Sequence, residues 1–255
     1  MTEIWGKKTF CLITGGSQGI GREIAKQFAE KLFPGSIMVL SARSVEGLKG
    51  TSSLINQVAP EISVELFPYD MSIPKEQDFS NLLKKFSPND FDLFLLVHNA
   101  ATEGSGLPIK ECSDPEKWNA YMATNLHSMA SLTSAFLKAF KHEDKIIVIN
   151  ITSLAAIQVI AGLGEYGVGK AAREMYMKVL SSESPLLRVL SYSPGPVDTS
   201  MVERVIDKVA NNETKSTFVK MRDEVTLLKP HETVKKLVDL ISVGLPPYSR
   251  IDYYD

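Results

Sequence analysis

Ser153, Tyr166 and Lys170 are the residues of this chain whose types and spacing could do chemistry together. In Tyr166-Gly167-Val168-Gly169-Lys170 the tyrosine and the lysine stand at i and i+4, which puts both on one helix face with the ammonium within reach of the phenol. Asn150-Ile151-Thr152-Ser153 comes thirteen residues earlier, at the exit of an apolar run, where a serine hydroxyl can hydrogen-bond a carbonyl oxygen and position it. The set suits reduction of a ketone by hydride. The alkoxide that develops must be protonated, and a phenol with a pKa of about 10 is poorly poised for that at neutral pH. Lowering it by about 3 units takes about 4 kcal/mol, the order that one ammonium about 4 Å away supplies at an effective dielectric of about 20. Taken alone, a Tyr-x-x-x-Lys pair is usually an exposed helical pair; the serine and the turn described next set this one apart.

That turn is Thr14-Gly15-Gly16-Ser17-Gln18-Gly19-Ile20-Gly21, between a strand-like run and a helix-like one. Glycines at Gly15, Gly19 and Gly21 let backbone N–H groups and a helix N-terminus approach a pyrophosphate, with Ser17, Gln18 and Ile20 completing the cradle. An NAD-binding unit carries an acid at the end of its second strand, but here the strand ends Leu40-Ser41-Ala42-Arg43-Ser44. A guanidinium at Arg43 can pair with a 2′-phosphate, so the cofactor expected is NADP(H), unless Arg43 is merely a solvated loop charge. Asp70, before Met71, either accepts a hydrogen bond from an adenine amine or caps the following turn. Asn125 is awkward inside a helix. It either carries a water that relays protons to Lys170 or is a buried polar group satisfied by backbone.

The elements that must hold these residues follow from periodicity. Strand candidates at 9–14, 36–41, 63–67, 93–97, 145–149, 188–192 and 250–253 alternate with helix candidates at 19–32, 45–58, 75–86, 115–140, 164–182 and 231–242. The strands are continuous apolar runs, the mark of a parallel sheet covered on both faces. The fold expected is α/β, a doubly wound parallel sheet of about seven strands (a Rossmann fold), in a single domain over 1–255. The polar stretch 197–226 breaks the alternation; it reads as a substrate-side loop or lid, or as two surface helices. The chain has 255 residues, 44% hydrophobic and 23% charged, which excludes disorder or a fibrous repeat. Its 28 basic and 30 acidic residues leave a net charge of -2, so no positive field draws it to nucleic acid or anionic lipid. No apolar run reaches the roughly 18–20 residues of a membrane span. The first eight residues lack a secretory leader, so a cytoplasmic location is expected, with Cys11 and Cys112 as reduced thiols. No metal site is expected.

These motifs resemble the short-chain dehydrogenase/reductase family. The resemblance spans nearly the whole chain and rests on the turn at Thr14 to Gly21, Asn99-Ala100, the set Asn125, Ser153, Tyr166 and Lys170, and Pro194-Gly195-Pro196-Val197-Asp198-Thr199. Ala101 departs from it, standing where the family usually has glycine and narrowing the floor of the nicotinamide pocket. The resemblance implies an NADP(H) site that also includes Ser44, Met71, Asn99, Tyr166, Lys170, Val197, Asp198, Thr199, Ser200 and Met201. Within the family the chain looks most like the enzymes that reduce pterin side-chain ketones. The residues that carry this are Leu40-Ser41-Ala42-Arg43, Gly169-Lys170-Ala171-Ala172-Arg173 and the ending Asp252-Tyr253-Tyr254-Asp255. That implies NADPH-dependent reduction of sepiapterin and 6-pyruvoyl-tetrahydropterin in tetrahydrobiopterin biosynthesis, and a homodimer built on the helices around Asn125 and Lys170. It also implies a substrate pocket of Ser153, Leu154, Tyr166, Gly195 and Asp252, the last anchoring the pterin edge. Gln18 stands where that branch commonly carries Arg, leaving more of the 2′-phosphate to Arg43. The competing readings are a reductase of another ketone (steroid, sugar or 3-oxoacyl thioester) and a non-catalytic NADP(H)-sensing protein.

Overall fold

The computed structural model describes residues 4–255. Seven strands form one sheet: β1 (Thr9–Thr14), β2 (Ile37–Ala42), β3 (Ser63–Pro68), β4 (Leu93–His98), β5 (Ile146–Ile151), β6 (Arg188–Ser193) and β7 (Tyr248–Asp252). They lie in the order β3-β2-β1-β4-β5-β6-β7, every neighbouring pair parallel. The order reverses between β1 and β4, and in open α/β sheets ligands bind outside the carboxyl ends of the strands at such a point.

Alternate side chains of each central strand serve opposite layers. Cys11 and Ile13 of β1, with Leu95 and Val97 of β4, face α1 (Gly19–Ala29), α2 (Val45–Val58) and α9 (Pro230–Ser242) through Ile24, Phe28, Leu48, Ile55, Leu237 and Ile241. Phe10 and Leu12, with Phe94 and Leu96, face α3 (Glu76–Leu83), α5 (Ser128–Ala139) and α6 (Gly164–Glu183) through Phe79, Leu82, Leu132, Phe136 and Met177. Burial on both faces is why the strands read as unbroken apolar runs.

One segment differs from the sequence reading, and one takes the second of its two alternatives. The helix expected over 115–140 is two helices, α4 (Pro115–Met122) and α5, joined by a π turn at Ala123–His127 with Asn125 at its centre. The Asn125 amide donates to the Tyr121 carbonyl at 2.9 Å while its Oδ1 accepts from the Thr102 N–H at 2.9 Å. A side chain bonded across its own preceding turn and to another loop favours the inserted residue. The stretch 197–226 folds as α7 (Ser200–Lys208) and α8 (Asn212–Asp223). Val205 and Val209 pack with Leu163, Phe218 and Tyr166, so this helix pair lies over the carboxyl edge of the sheet. Among the described residues no helix is long and apolar enough to cross a membrane.

Candidate active site

The glycine turn leaves β1 and enters α1 with no side chain capping the helix start. The first N–H groups of α1 are thus left for an anion, where the helix dipole also favours one. Gly15 has φ +69°, and a Cβ there would lie 2.7 Å from Asn99 Nδ2. A Cβ on Gly21 would come within 2.2 Å of the Gly15 carbonyl oxygen. Behind the turn, the Arg22 guanidinium donates to the Ser17 carbonyl and, through Nε, to Thr51 Oγ1, while the Thr51 hydroxyl donates to the Gly16 carbonyl at 2.8 Å. In front, Asn99 donates through Nδ2 to the Thr14 and Gly15 carbonyls at 3.1 and 3.2 Å.

Gln18 donates to Ser200 Oγ at 3.0 Å, which brings the turn against the start of α7, and the Thr199 methyl lies under Gly19. Val197 is buried and Met201 half-buried; Asp198 is tied to Lys229 at 2.8 Å. Arg43 and Ser44 are exposed at the end of β2, with Ser44 Oγ accepting from the Gly47 N–H as the cap of α2. Asp70 accepts from the Ser72 N–H at 2.9 Å, the turn-capping geometry; that bond, with the nearby Arg43 charge, holds its carboxyl below the ordinary range. Met71 is a core side chain. A cradle that a single Cβ would fill, an uncapped helix start and a strand end with arginine in place of an acid fit a phosphorylated dinucleotide.

Across the crevice, Ser153 caps a short turn at Leu154–Ala156, with its Oγ accepting from the Ala155 N–H at 3.2 Å, and lies against the Tyr166 phenol. Tyr166 and Lys170 share one face of α6. Lys170 Nζ sits 5.5 Å from the phenol ring centre and donates to the Ile151 carbonyl at 2.7 Å. The electrostatics differ from the sequence reading. Burial raises the Tyr166 pKa, the Ser153 hydrogen bond and the Arg173 charge opposing it only in part. Lys170 is pushed well below its ordinary value by burial and then by Arg173. A 3% exposed ammonium pays the desolvation cost that the simple Coulomb estimate leaves out.

At the far edge, the Asp252 N–H donates to Asp255 Oδ2 at 2.6 Å, while Asp252 Oδ1 accepts from the Tyr254 N–H at 3.2 Å. Asp252 Oδ2 is buried without a partner. Lys236 donates to the Tyr253 and Asp255 carbonyls, and Tyr253 and Tyr254 pack over Gly195, whose φ is +73°. The tail therefore returns to the carboxyl edge, where Asp252 pairs in register with Ser193. Leu154 is largely exposed at the same edge.

Sequence reasoning missed three groups. His98, buried, shares a hydrogen bond with Thr133 at 2.8 Å, and burial holds its pKa well below the ordinary value. Glu103, 4% exposed, accepts from Arg204 at 3.0 Å and Lys208 at 2.7 Å, clasping α7 to the loop after β4. Burial raises its pKa, but those two hydrogen bonds outweigh it and hold the carboxyl below its usual value. Arg173 is the third. Nothing in spacing flags any of them, because each partner comes from a distant part of the chain.

Residues 9–210 match the family model described as short chain dehydrogenase. Sepiapterin reductase of Mus musculus is 35% identical over 253 residues, 96% of each chain, and that of Bos taurus 32% identical over 254 residues, 97% of this chain and 95% of the relative. The crystal structure of levodione reductase superposes with a TM-score of 0.81 at 20% identity, covering 96% of each chain. The fold and site define an oxidoreductase that works with a nicotinamide cofactor on a small-molecule substrate. The chain belongs to the short-chain dehydrogenase/reductase family.

Proposed function

We propose that this enzyme is an NADPH-dependent reductase of pterin side-chain ketones, with sepiapterin and 6-pyruvoyl-tetrahydropterin as its substrates in tetrahydrobiopterin biosynthesis. The observation that carries the substrate class is Asp252 Oδ2, a buried carboxylate oxygen without a partner at the crevice edge. An aminopyrimidine offers two N–H donors to such a group, as arginine does. The full-length resemblance to sepiapterin reductases supports the same reading. NADP preference rests on Arg43, for which no carboxylate stands at the end of β2.

When bound, the reduced nicotinamide supplies the hydride. Ser153 and Tyr166 hold the carbonyl oxygen between two hydroxyl groups, and Tyr166 gives it the proton as negative charge develops. Lys170, on the helix face it shares with Tyr166, would hold the ribose hydroxyls. The Asn125 side chain, spent on the Tyr121 carbonyl and the Thr102 N–H, holds the π turn. Gly15, Ser17, Gln18, Gly19, Ile20 and Gly21 would hold the pyrophosphate, with Thr199 to Met201 beside them, and α7 with α8 would cover the substrate.

Loss of NADPH absorbance on adding sepiapterin tests the reading; turnover of a steroid or 3-oxoacyl ketone, with none of the pterin, overturns it. Asp252→Ala is expected to raise KM for sepiapterin about 10- to 100-fold, the loss of one charge-assisted pair, and KM for a small diketone by less than about threefold. Equal effects on both substrates would remove the anchor.

The enzyme acts as a cytoplasmic homodimer in this reading. Val168, Met175 and Val179 form an apolar stripe on the outer face of α6 at i, i+7 and i+11, and all three are exposed. Met175→Asp is expected to shift the species seen by light scattering from dimer to monomer; an unchanged mass would place the contact elsewhere.

A further inference from the structure

The loop after β4 buries a carboxylate whose two cationic partners both lie on α7. Glu103 is 4% exposed, and its Oε1 accepts from Arg204 Nε at 3.0 Å and from Lys208 Nζ at 2.7 Å. Its Oε2 has the Thr102 hydroxyl at 3.5 Å, at the limit of a hydrogen bond. The loop itself is fixed to other elements. Arg173 of α6 donates through Nη1 to the Ala100 carbonyl at 3.0 Å and through Nη2 to the His98 carbonyl at 2.7 Å, while its Nε donates to Asn150 Oδ1 at 2.9 Å. The Thr102 N–H is held by Asn125 of the π turn, and the Ser105 N–H donates at 2.6 Å to Glu165 Oε2, beside Tyr166 on α6. Just past α7, the Ala210 N–H donates to the Gly106 carbonyl at 2.9 Å, so the far end of that helix is tied by backbone as well.

The near end of α7 rests on the glycine turn. Gln18 donates to Ser200 Oγ at 3.0 Å, and Arg204 Nη1 donates to the same oxygen at 3.2 Å. Gln18, Ser200, Arg204 and Glu103 therefore form one hydrogen-bonded chain from the turn after β1 to the loop after β4. Those two loops flank the point where the strand order reverses, so the chain crosses the mouth of the crevice. Apolar packing holds α7 only lightly. Its buried residues belong to two small clusters, Val205 and Val209 with Leu163, and Val202 and Ile206 with Leu227, apart from both main cores. A segment with so little apolar burial opens locally far more readily than the sheet does.

The ion pairs at the Glu103 end are asymmetric. Arg204 and Lys208 are 41% and 47% exposed and meet water if α7 lifts, whereas Glu103 is then a buried anion without a cation. Breaking a buried pair from one side is far more unfavourable than replacing both members. We propose that Glu103 is a positioning residue that latches α7 across the crevice and thereby sets how fast a bound dinucleotide leaves. The proposal rests on the reading that Thr199 to Met201 lie beside the pyrophosphate. At the Gln18 end the chain is a neutral amide on a hydroxyl, and at the Glu103 end it is charged and buried, so the hold on α7 is concentrated at the loop after β4.

Glu103→Gln keeps the shape of the side chain and removes its charge. It is expected to speed release of the dinucleotide about tenfold, followed by stopped-flow displacement with whichever of NADPH and NADH the parent binds. Amide exchange over residues 200–208 of the cofactor-free protein is expected to speed by a similar factor while β1 and β4 exchange at the parent's rate. A loss of general stability would speed exchange in the sheet as well. Arg204→Gln combined with Lys208→Gln, both at half-exposed positions, strands the carboxylate and is expected to release the dinucleotide faster still. In that background Glu103→Gln removes an unpaired buried anion and so slows release. The effect of one substitution thus reverses its sign between the two backgrounds, which a merely structural role for Glu103 does not produce. The same sign in both backgrounds overturns the proposal, as does release within about twofold of the parent's in a folded Glu103→Gln protein. The exchange of α7 then shows which part fails: faster exchange faults the placement of the dinucleotide beside α7, and unchanged exchange faults the latch itself. Should Glu103→Gln not fold, the paired cation variant decides the matter, and release at the parent's rate there overturns the latch.

Discussion

Tyr166→Phe is expected to lower kcat for ketone reduction by about three orders of magnitude while leaving the dissociation constant of NADPH within about threefold. The two effects separate because the substitution removes one hydroxyl and little else. The ring stays packed with Leu163, Val205 and Phe218 beneath α7 and α8, and its face still lies over Lys170 Nζ. Among the described residues the phenol oxygen makes no hydrogen bond that holds the fold, so the thermal midpoint stays close to the parent's. What disappears is the proton for the developing alkoxide, a contribution of about 10² to 10⁴ in a positioned general acid. Ser153 remains to orient the carbonyl and accounts for residual turnover. Stopped-flow absorbance at saturating NADPH, with a fluorescence titration of the cofactor, measures both quantities. A rate within about tenfold of the parent's would take the proton-donor role away from Tyr166.

The sequence carried the sheet, and most of the candidate site was legible in it, because both rest on local signals. Unbroken apolar runs fixed β1, β4 and β5, and the glycine spacing and the i, i+4 pair need no information from elsewhere in the chain. The misses have one cause. A continuous 3.6-residue pattern runs through 115–140, and only the Asn125 bonds to Tyr121 and to Thr102, a residue 23 positions earlier, reveal the π turn. Glu103 stands 101 and 105 residues before its two partners. Arg173 looked like one more charge on a helix, since its acceptors are two carbonyls about 75 residues away and an amide on β5. Long-range polar pairing leaves no periodic trace, and the electrostatics follow suit: counting charges leaves out the burial that pulls the Lys170 pKa down.

The strongest test of the cradle is Gly21→Ala, paired with Gly16→Ala. Both add one methyl to the same turn. At Gly16 the Cβ would meet Leu40 Cδ2 at 3.3 Å, the far end of a side chain that can yield by a few tenths of an ångström. At Gly21 it would meet the Gly15 carbonyl oxygen at 2.2 Å and Asn99 Nδ2 at 2.4 Å. Neither obstacle gives easily. The Gly15 carbonyl belongs to a backbone at φ +69° that is bonded to Asn99, and Asn99 is flanked by the two carbonyls Arg173 holds. The methyl must push α1 away from the turn. The N–H groups at the start of α1 then no longer converge with those of the turn on one pyrophosphate. Overpacking of this kind costs about 1 to 3 kcal/mol, and an enzyme of this size loses about 2 to 4 °C of thermal midpoint per kcal/mol. NADPH affinity is expected to fall about 100-fold in Gly21→Ala and less than about threefold in Gly16→Ala, read by fluorescence titration. Equal losses in the two variants would mean that the turn is generally intolerant of methyl groups, and that the meeting of Gly15, Gly21 and Asn99 does not set the geometry of the cofactor site.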